Sequence, residues 1–177
     1  MSLRGLVRLA RRTGRISEPA PPPPAFTAGS SSAADDELPG QAFTPPAALR
    51  GSAQVRHVDA GSCNGCEIEL AAAFGPVYDA ERYGVRLVAS PRHADVVLVT
   101  GVVTANMAEP LRLTVAATPR PRVVVACGDC ALGRGAFRDG YAVVGAVNDV
   151  VPVDLQIPGC PPEPDAIVAA LRRVTGR

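Results

Sequence analysis

The chain has no tryptophan and no lysine, and aromatic residues make up only 4% of its 177 positions. A core without large rings must be aliphatic, and 47% of the residues are hydrophobic, mostly Val, Ala and Leu. That is ample for one domain of this length. All 18 basic side chains are arginine. Beside an excess of Ala and Pro, this reads as a GC-rich coding bias, so single arginines carry little functional weight. Strong charge of one sign is also missing: the net charge is +1, which excludes a nucleic-acid binder that relies on counterion release. No hydrophobic run is long; the best, 96–99 and 123–126, are far too short to span a bilayer. The Arg11-Arg12 pair is followed by Thr-Gly-Arg-Ile-Ser-Glu-Pro and not by an apolar stretch, so a twin-arginine export signal is not expected. A reducing, cytoplasmic compartment follows, where cysteines bind metal more often than they pair.

What the chain does have falls into three stretches. Residues 1–15 place Leu3, Leu6, Val7 and Ala10 on one helical face and Arg4, Arg8, Arg11 and Arg12 largely on the other. This is a short basic amphipathic helix, suited to a membrane surface or a partner, or simply a frayed terminus. Residues 16–52 hold a four-proline run, a three-serine run and Pro45-Pro46 among small and acidic residues, and read as a disordered linker. Residues 53–177 alternate short apolar strands with helices. Strands are expected over 54–59, 85–88, 95–100, 122–126 and 151–157, and helices over 67–74, 108–117 and 163–174, with one further turn at 79–83. The expected class is therefore α/β with a mostly parallel sheet.

The cysteines carry the functional signal. Cys63-x-x-Cys66 is followed by Gly-Asp-Cys130 and by Pro-Gly-Cys160-Pro-Pro. All five cysteines follow expected strands, so they converge on the carboxyl edge of the sheet, where open α/β folds bind ligands. Thiolates are soft ligands suited to an iron–sulfur cube, and glycines beside them allow backbone N–H groups to approach the sulfides. Two other readings compete. Cys63/Cys66 with Cys127/Cys130 would make a four-cysteine zinc site and leave Cys160 over. A thioredoxin-like CxxC would use two cysteines and leave three idle.

Cys63-Asn-Gly-Cys66-Glu67, Tyr78-Asp-Ala-Glu-Arg-Tyr-Gly84, Ser90-Pro-Arg92-His93-Ala-Asp95, Gly128-Asp-Cys130-Ala-Leu-Gly133-Arg-Gly135, Val151-Pro-Val-Asp154 and Ile157-Pro-Gly-Cys160-Pro-Pro appear in order. Together, over about 53–174, they resemble the cluster-binding small subunits shared by complex I and membrane-bound [NiFe] hydrogenases. The resemblance implies a flavodoxin-like domain and one [4Fe–4S] cluster held by Cys63, Cys66, Cys130 and Cys160, with Cys127 as a packing residue. It also implies partners: a ferredoxin-like iron–sulfur subunit as electron donor, a large catalytic subunit as acceptor, and membrane subunits reached through them. The chain itself would be a non-catalytic electron-transfer subunit, peripheral on the inner face of the cell membrane. The spaced Cys63-x-x-Cys66 is similar to the formate hydrogenlyase and energy-converting hydrogenase branch. The quinone-reducing branch, represented by the 20 kDa subunit of NADH-quinone oxidoreductase, has adjacent cysteines there and is the alternative. A zinc-stabilised structural or assembly protein is the alternative of another class.

Around the expected cluster, Glu67 could face the metal or be an exposed acid favoured by the helix dipole. Arg92 and His93 could tune the potential from a nearby turn. His57 reads as structural, and Asp95 and Asp154 as strand boundaries.

Overall fold

The computed structural model describes residues 43–177. The expected N-terminal helix and most of the expected linker lie outside the described residues. Strand β1 (Ala53–Asp59) leads into helix α1 (Gly65–Ala73), and a 3₁₀ turn (Ala80–Tyr83) leads to β2 (Val85–Leu87). Then follow β3 (Val96–Thr100), the short β4 (Val103–Thr104), α2 (Ala105–Ala117), β5 (Val123–Cys127), β6 (Val143–Gly145), β7 (Leu155–Ile157) and α3 (Pro164–Thr175). Five strands form one all-parallel sheet in the order β2-β1-β3-β5-β7. Strands β4 and β6 form a separate antiparallel ribbon.

Successive side chains of a strand point to opposite faces, and the two cores divide along that rule. Val96 and Leu98 of β3, with Val123, Val125 and Cys127 of β5, pack under α1 and α3. Val97 and Val99, with Val124 and Ala126, pack under α2. All five residues of β3 and of β5 are buried, as expected for central parallel strands covered on both faces. The domain is thus three layers, α/β/α, and the α/β class expected from the sequence is what forms. Helix α3 opens on Pro164, buries Ile167, Leu171 and Val174, and ends at Gly176 with φ 68°.

Besides the β4–β6 ribbon, which was not expected, three local features depart from the sequence reading. The last strand is only Leu155–Ile157, not 151–157. Pro152 has no N–H to give, Val151 turns into the α2-side core, and the Asp154 carboxylate accepts the Val124 N–H at 2.7 Å in place of a ladder carbonyl. Helix α2 begins at Ala105, three residues early, because nothing between Thr104 and Ala108 breaks a helix. Ahead of β1, a 3₁₀ turn (Ala47–Leu49) buries Leu49 in the core, and Phe43 packs on it.

The order of the sheet reverses between β1 and β3. Chains leaving these strands at their carboxyl ends diverge to opposite faces and open a crevice there. The loops after β1, β5 and β7, which carry Cys63, Cys66, Cys130 and Cys160, all lie on that edge.

Candidate metal centre

The first loop is shaped by its own side chains. Asp59 Oδ1 accepts the N–H groups of Gly61 (2.9 Å) and Ser62 (2.8 Å), which folds the chain sharply past the end of β1. Ser62 Oγ accepts the Asn64 N–H at 3.1 Å, and Asn64 starts α1 in the left-handed region with φ 71°. Cys63 is thereby left exposed in the loop, while Cys66 is buried in the first turn of the helix.

The second and third loops are tied to each other. Gly128 N–H donates to the Ile157 carbonyl and Asp129 N–H to that of Gly159, both at 2.8 Å. Asp129 Oδ1 accepts the Gly159 N–H in return at 3.1 Å. Cys130 is buried and Cys160 exposed, and the Cys160–Pro161 peptide is cis. The centre therefore has two buried thiols as its floor and two exposed thiols as its rim.

Charge couples the four. Burial pushes the Cys66 thiol up to about 12, and negative charge on Glu67, Cys130, Cys63 and Cys160 pushes the same way. Cys130 is raised by burial and then by Cys160 and Cys63. Cys66 thus feels the other three, and Cys130 feels the two exposed ones. Cys127 is different: it ends β5 within the core under α1, is 0% exposed, and its thiol is held far above the usual range by burial.

The surroundings fit a thiolate-bound cluster. Gly128 has φ +91°, and a Cβ there would stand 2.5 Å from Cys66 Sγ. A Cβ on Gly135 would run into Cys130 Sγ and its backbone. Both positions need glycine so that backbone can lie against the sulfurs. Among the described residues, no group of three or more His, Cys, Asp or Glu is drawn close enough to share one metal ion.

Glu67 faces inward, with its side chain 17% exposed. Its Oε2 accepts the Ser62 hydroxyl at 2.6 Å and its Oε1 accepts the Thr100 hydroxyl. His57 Nε2 lies 2.8 Å from Thr100 Oγ1 and 3.6 Å from Glu67 Oε1. Burial lowers the His57 pKa, against the opposing pull of Glu67 and Asp59. The part that Thr100 and His57 play beside Cys66 was missed by the sequence reading. Arg92 and His93 require correction. They form the exposed 3₁₀ turn (Pro91–His93) at the amino end of β3, whereas the cysteines lie beyond the carboxyl ends. Five strand residues at about 3.3 Å each put roughly 16 Å between them and the centre. Asp95 takes the Gln54 N–H at 2.8 Å, so it bounds its strand just as Asp154 does.

Comparison with known proteins accords with this architecture. The family model described as NADH ubiquinone oxidoreductase, 20 Kd subunit, matches residues 63–174. A probable membrane-bound hydrogenase subunit, mbhJ, of Pyrococcus furiosus is 50% identical over 114 residues, which cover 64% of this chain and 68% of that protein. Formate hydrogenlyase subunit 7 of Escherichia coli is 44% identical over 128 residues, 72% of this chain but only 50% of that protein. Among solved structures, a chain of the membrane-bound sulfane sulfur reductase, an archaeal respiratory membrane complex, superposes with a TM-score of 0.63 at 31% identity. That match covers 73% of this chain and 71% of that one. A chain of an NAD+-reducing [NiFe]-hydrogenase shares the fold, with a TM-score of 0.57 at 22% identity over 71% of this chain and 93% of that one. The chain belongs to the family of the 20 kDa subunit of NADH ubiquinone oxidoreductase.

Proposed function

We propose that this chain carries one [4Fe–4S] cluster on Cys63, Cys66, Cys130 and Cys160 and passes single electrons within a membrane-associated oxidoreductase of the hydrogenase type. The observation that carries the reading is that these cysteines lie on three loops beyond the sheet's carboxyl edge, with Cys66 near enough to feel charge on the other three. A cluster bound there supplies one-electron transfer. The chain's own residues hold it and keep water out from below: Gly128 and Gly135 allow close backbone approach, and Cys127 fills the core beneath.

The hydrogenase branch, rather than the quinone-reducing one, is favoured by the spaced Cys63-x-x-Cys66 and by the identities of 50% and 44% to hydrogenase-type subunits. Electrons would come from a ferredoxin-like subunit and leave to a large catalytic subunit, which performs the substrate chemistry. Large apolar side chains remain exposed beside the cysteines: Ile68 (60% exposed) two residues after Cys66, and Phe137 (52%) in the loop after Cys130. These suit a protein interface over the rim. Among the described residues no helix is long and apolar enough to cross a membrane, so attachment would run through partner subunits at the inner face.

The test is anaerobic purification of the complex through this subunit, with iron and acid-labile sulfide analysis and electron paramagnetic resonance of the reduced protein. Four irons and four sulfides per chain are expected from this subunit, lost on Cys63→Ser or Cys160→Ser. Zinc without iron in the isolated chain would overturn the proposal in favour of a structural or assembly protein.

A further inference from the structure

Three polar residues of the described chain are fully buried: Thr100, Thr118 and Thr175. Two of them serve local backbone. Thr118 donates its hydroxyl to the Thr114 carbonyl at 2.9 Å and Thr175 to that of Arg172 at 3.3 Å. Thr100 alone uses its hydroxyl on side chains from two other elements. It stands at the carboxyl end of β3 on the same face as Leu98, the face that α1 covers. There its Oγ1 donates to Glu67 Oε1 and lies 2.8 Å from His57 Nε2.

The direction of these bonds is fixed by counting protons. A hydroxyl has one hydrogen, and Thr100 gives it to Glu67. His57 Nε2 must then carry a hydrogen and donate it to Thr100 Oγ1. The donors run one way, from His57 through Thr100 to Glu67, and the Ser62 hydroxyl occupies the other carboxylate oxygen. Glu67 directly follows Cys66 in the first turn of α1, so both of its oxygens are held in place beside a cysteine of the centre.

We propose that Thr100, backed by His57, is a positioning residue that holds the Glu67 carboxylate at one point beside Cys66 and thereby lowers the reduction potential of the cluster. This rests on the four-cysteine reading. Charge near a cluster and hydrogen bonding around it are principal determinants of its potential. A negative charge opposes the arrival of an electron, and it does so most strongly where burial keeps solvent from screening it. Without the Thr100 hydroxyl, the carboxylate loses one of its two holds and swings toward solvent, which eases reduction.

The experiment is a redox titration, followed by electron paramagnetic resonance, of the complex purified with Thr100→Val, Thr100→Ser, Glu67→Gln or the Thr100→Val/Glu67→Gln pair. Iron and sulfide are measured in each preparation. Thr100→Val and Glu67→Gln should raise the midpoint potential, Thr100→Ser should match the parent, and the pair should titrate like Glu67→Gln alone. A full complement of iron with an unshifted Thr100→Val potential would overturn the proposal, as would a pair whose shift is the sum of the two. Should Thr100→Val fail to assemble, His57→Leu removes the donor behind Thr100 and should give a smaller rise; no rise would likewise overturn it. A parent complex whose subunit lacks iron would instead defeat the four-cysteine reading itself.

Discussion

The buried thiol of Cys66 governs how the centre is filled. With its pKa pushed up to about 12, the metal-free protein keeps this proton at neutral pH. Thiolate is the form that binds iron, so binding releases the proton. Anaerobic reconstitution should therefore proceed further at pH 8.5 than at pH 6.5, measured as sulfide-dependent absorbance. The same shift has a stability consequence of definite sign. Above the ordinary thiol value of 9.0 the unfolded chain loses the Cys66 proton while the folded, metal-free chain keeps it until about 12. Stability is complete below 9 and falls as pH rises beyond it. His57 acts at the other end: burial lowers its folded pKa below 6.5, so the unfolded state binds more protons in acid. Its contribution is complete above 6.5 and declines as pH falls through that value. Thermal unfolding of the metal-free chain should accordingly give its highest midpoint between about 7 and 9, the interval bounded by the two groups. Gly128→Ala provides a steric check, since its Cβ would stand 2.5 Å from Cys66 Sγ at φ +91°. Cluster content should fall severalfold, with little change in the far-ultraviolet spectrum.

At the scale of the elements, the ends of strands decide which features were readable. β3 is a four-residue apolar run closed by Thr100 and β5 a continuous five-residue one, and such runs announce strands covered on both faces. β4 and β6, of two and three residues, are too short for any period to show. The cysteine edge was readable because each Cys loop follows a strand in a parallel sheet. By the same logic, Arg92 and His93 precede β3 and belong to the opposite edge, a deduction that sequence order already allowed. The His57–Thr100–Glu67 chain was not open to that reasoning. Its members lie up to 43 positions apart; the β1–β3 pairing, with Asp59 beside Thr100 and His57 beside Leu98, brings two of them together, and α1 over that face supplies Glu67. Asp154 shows how a strand end is secured. Its carboxylate takes the Val124 N–H at 2.7 Å while its own N–H returns to the Val124 carbonyl at 2.9 Å. Asp154→Ala leaves that donor without its partner, and a loss of about 1–3 kcal/mol is expected from urea unfolding. Leu98→Ala, at 0% exposure between two covered faces, should cost more, about 2–5 kcal/mol.

For the whole molecule, the separation of core from centre determines what metal removal does. Small metal-dependent modules unfold when stripped, because their ligands supply the folding energy. Here two aliphatic cores flank a five-stranded sheet and lie toward its middle, with residues such as Leu98, Leu155, Ile167 and Leu171 almost wholly buried. The cysteines sit on loops beyond one edge, and the second and third loops stay tied through Gly128, Asp129 and Gly159 without any metal. In the loop after β1, Ala60 is tied to Thr100 and Thr104, but beyond it residues 61–64 rest on their Asp59 and Ser62 bonds and on the clasp of Ser62 and Thr100 on Glu67. Stripping the cluster should therefore leave cooperative unfolding and strand content intact while loosening this loop first. Limited proteolysis and hydrogen exchange on cluster-loaded and stripped protein should differ most at 61–66, less at 128–135 and 158–162, and not at all within β3 and β5. Loss of protection in β3 on stripping would mean that the metal supports the sheet itself, and the division between an aliphatic body and a cysteine-bearing edge would fall.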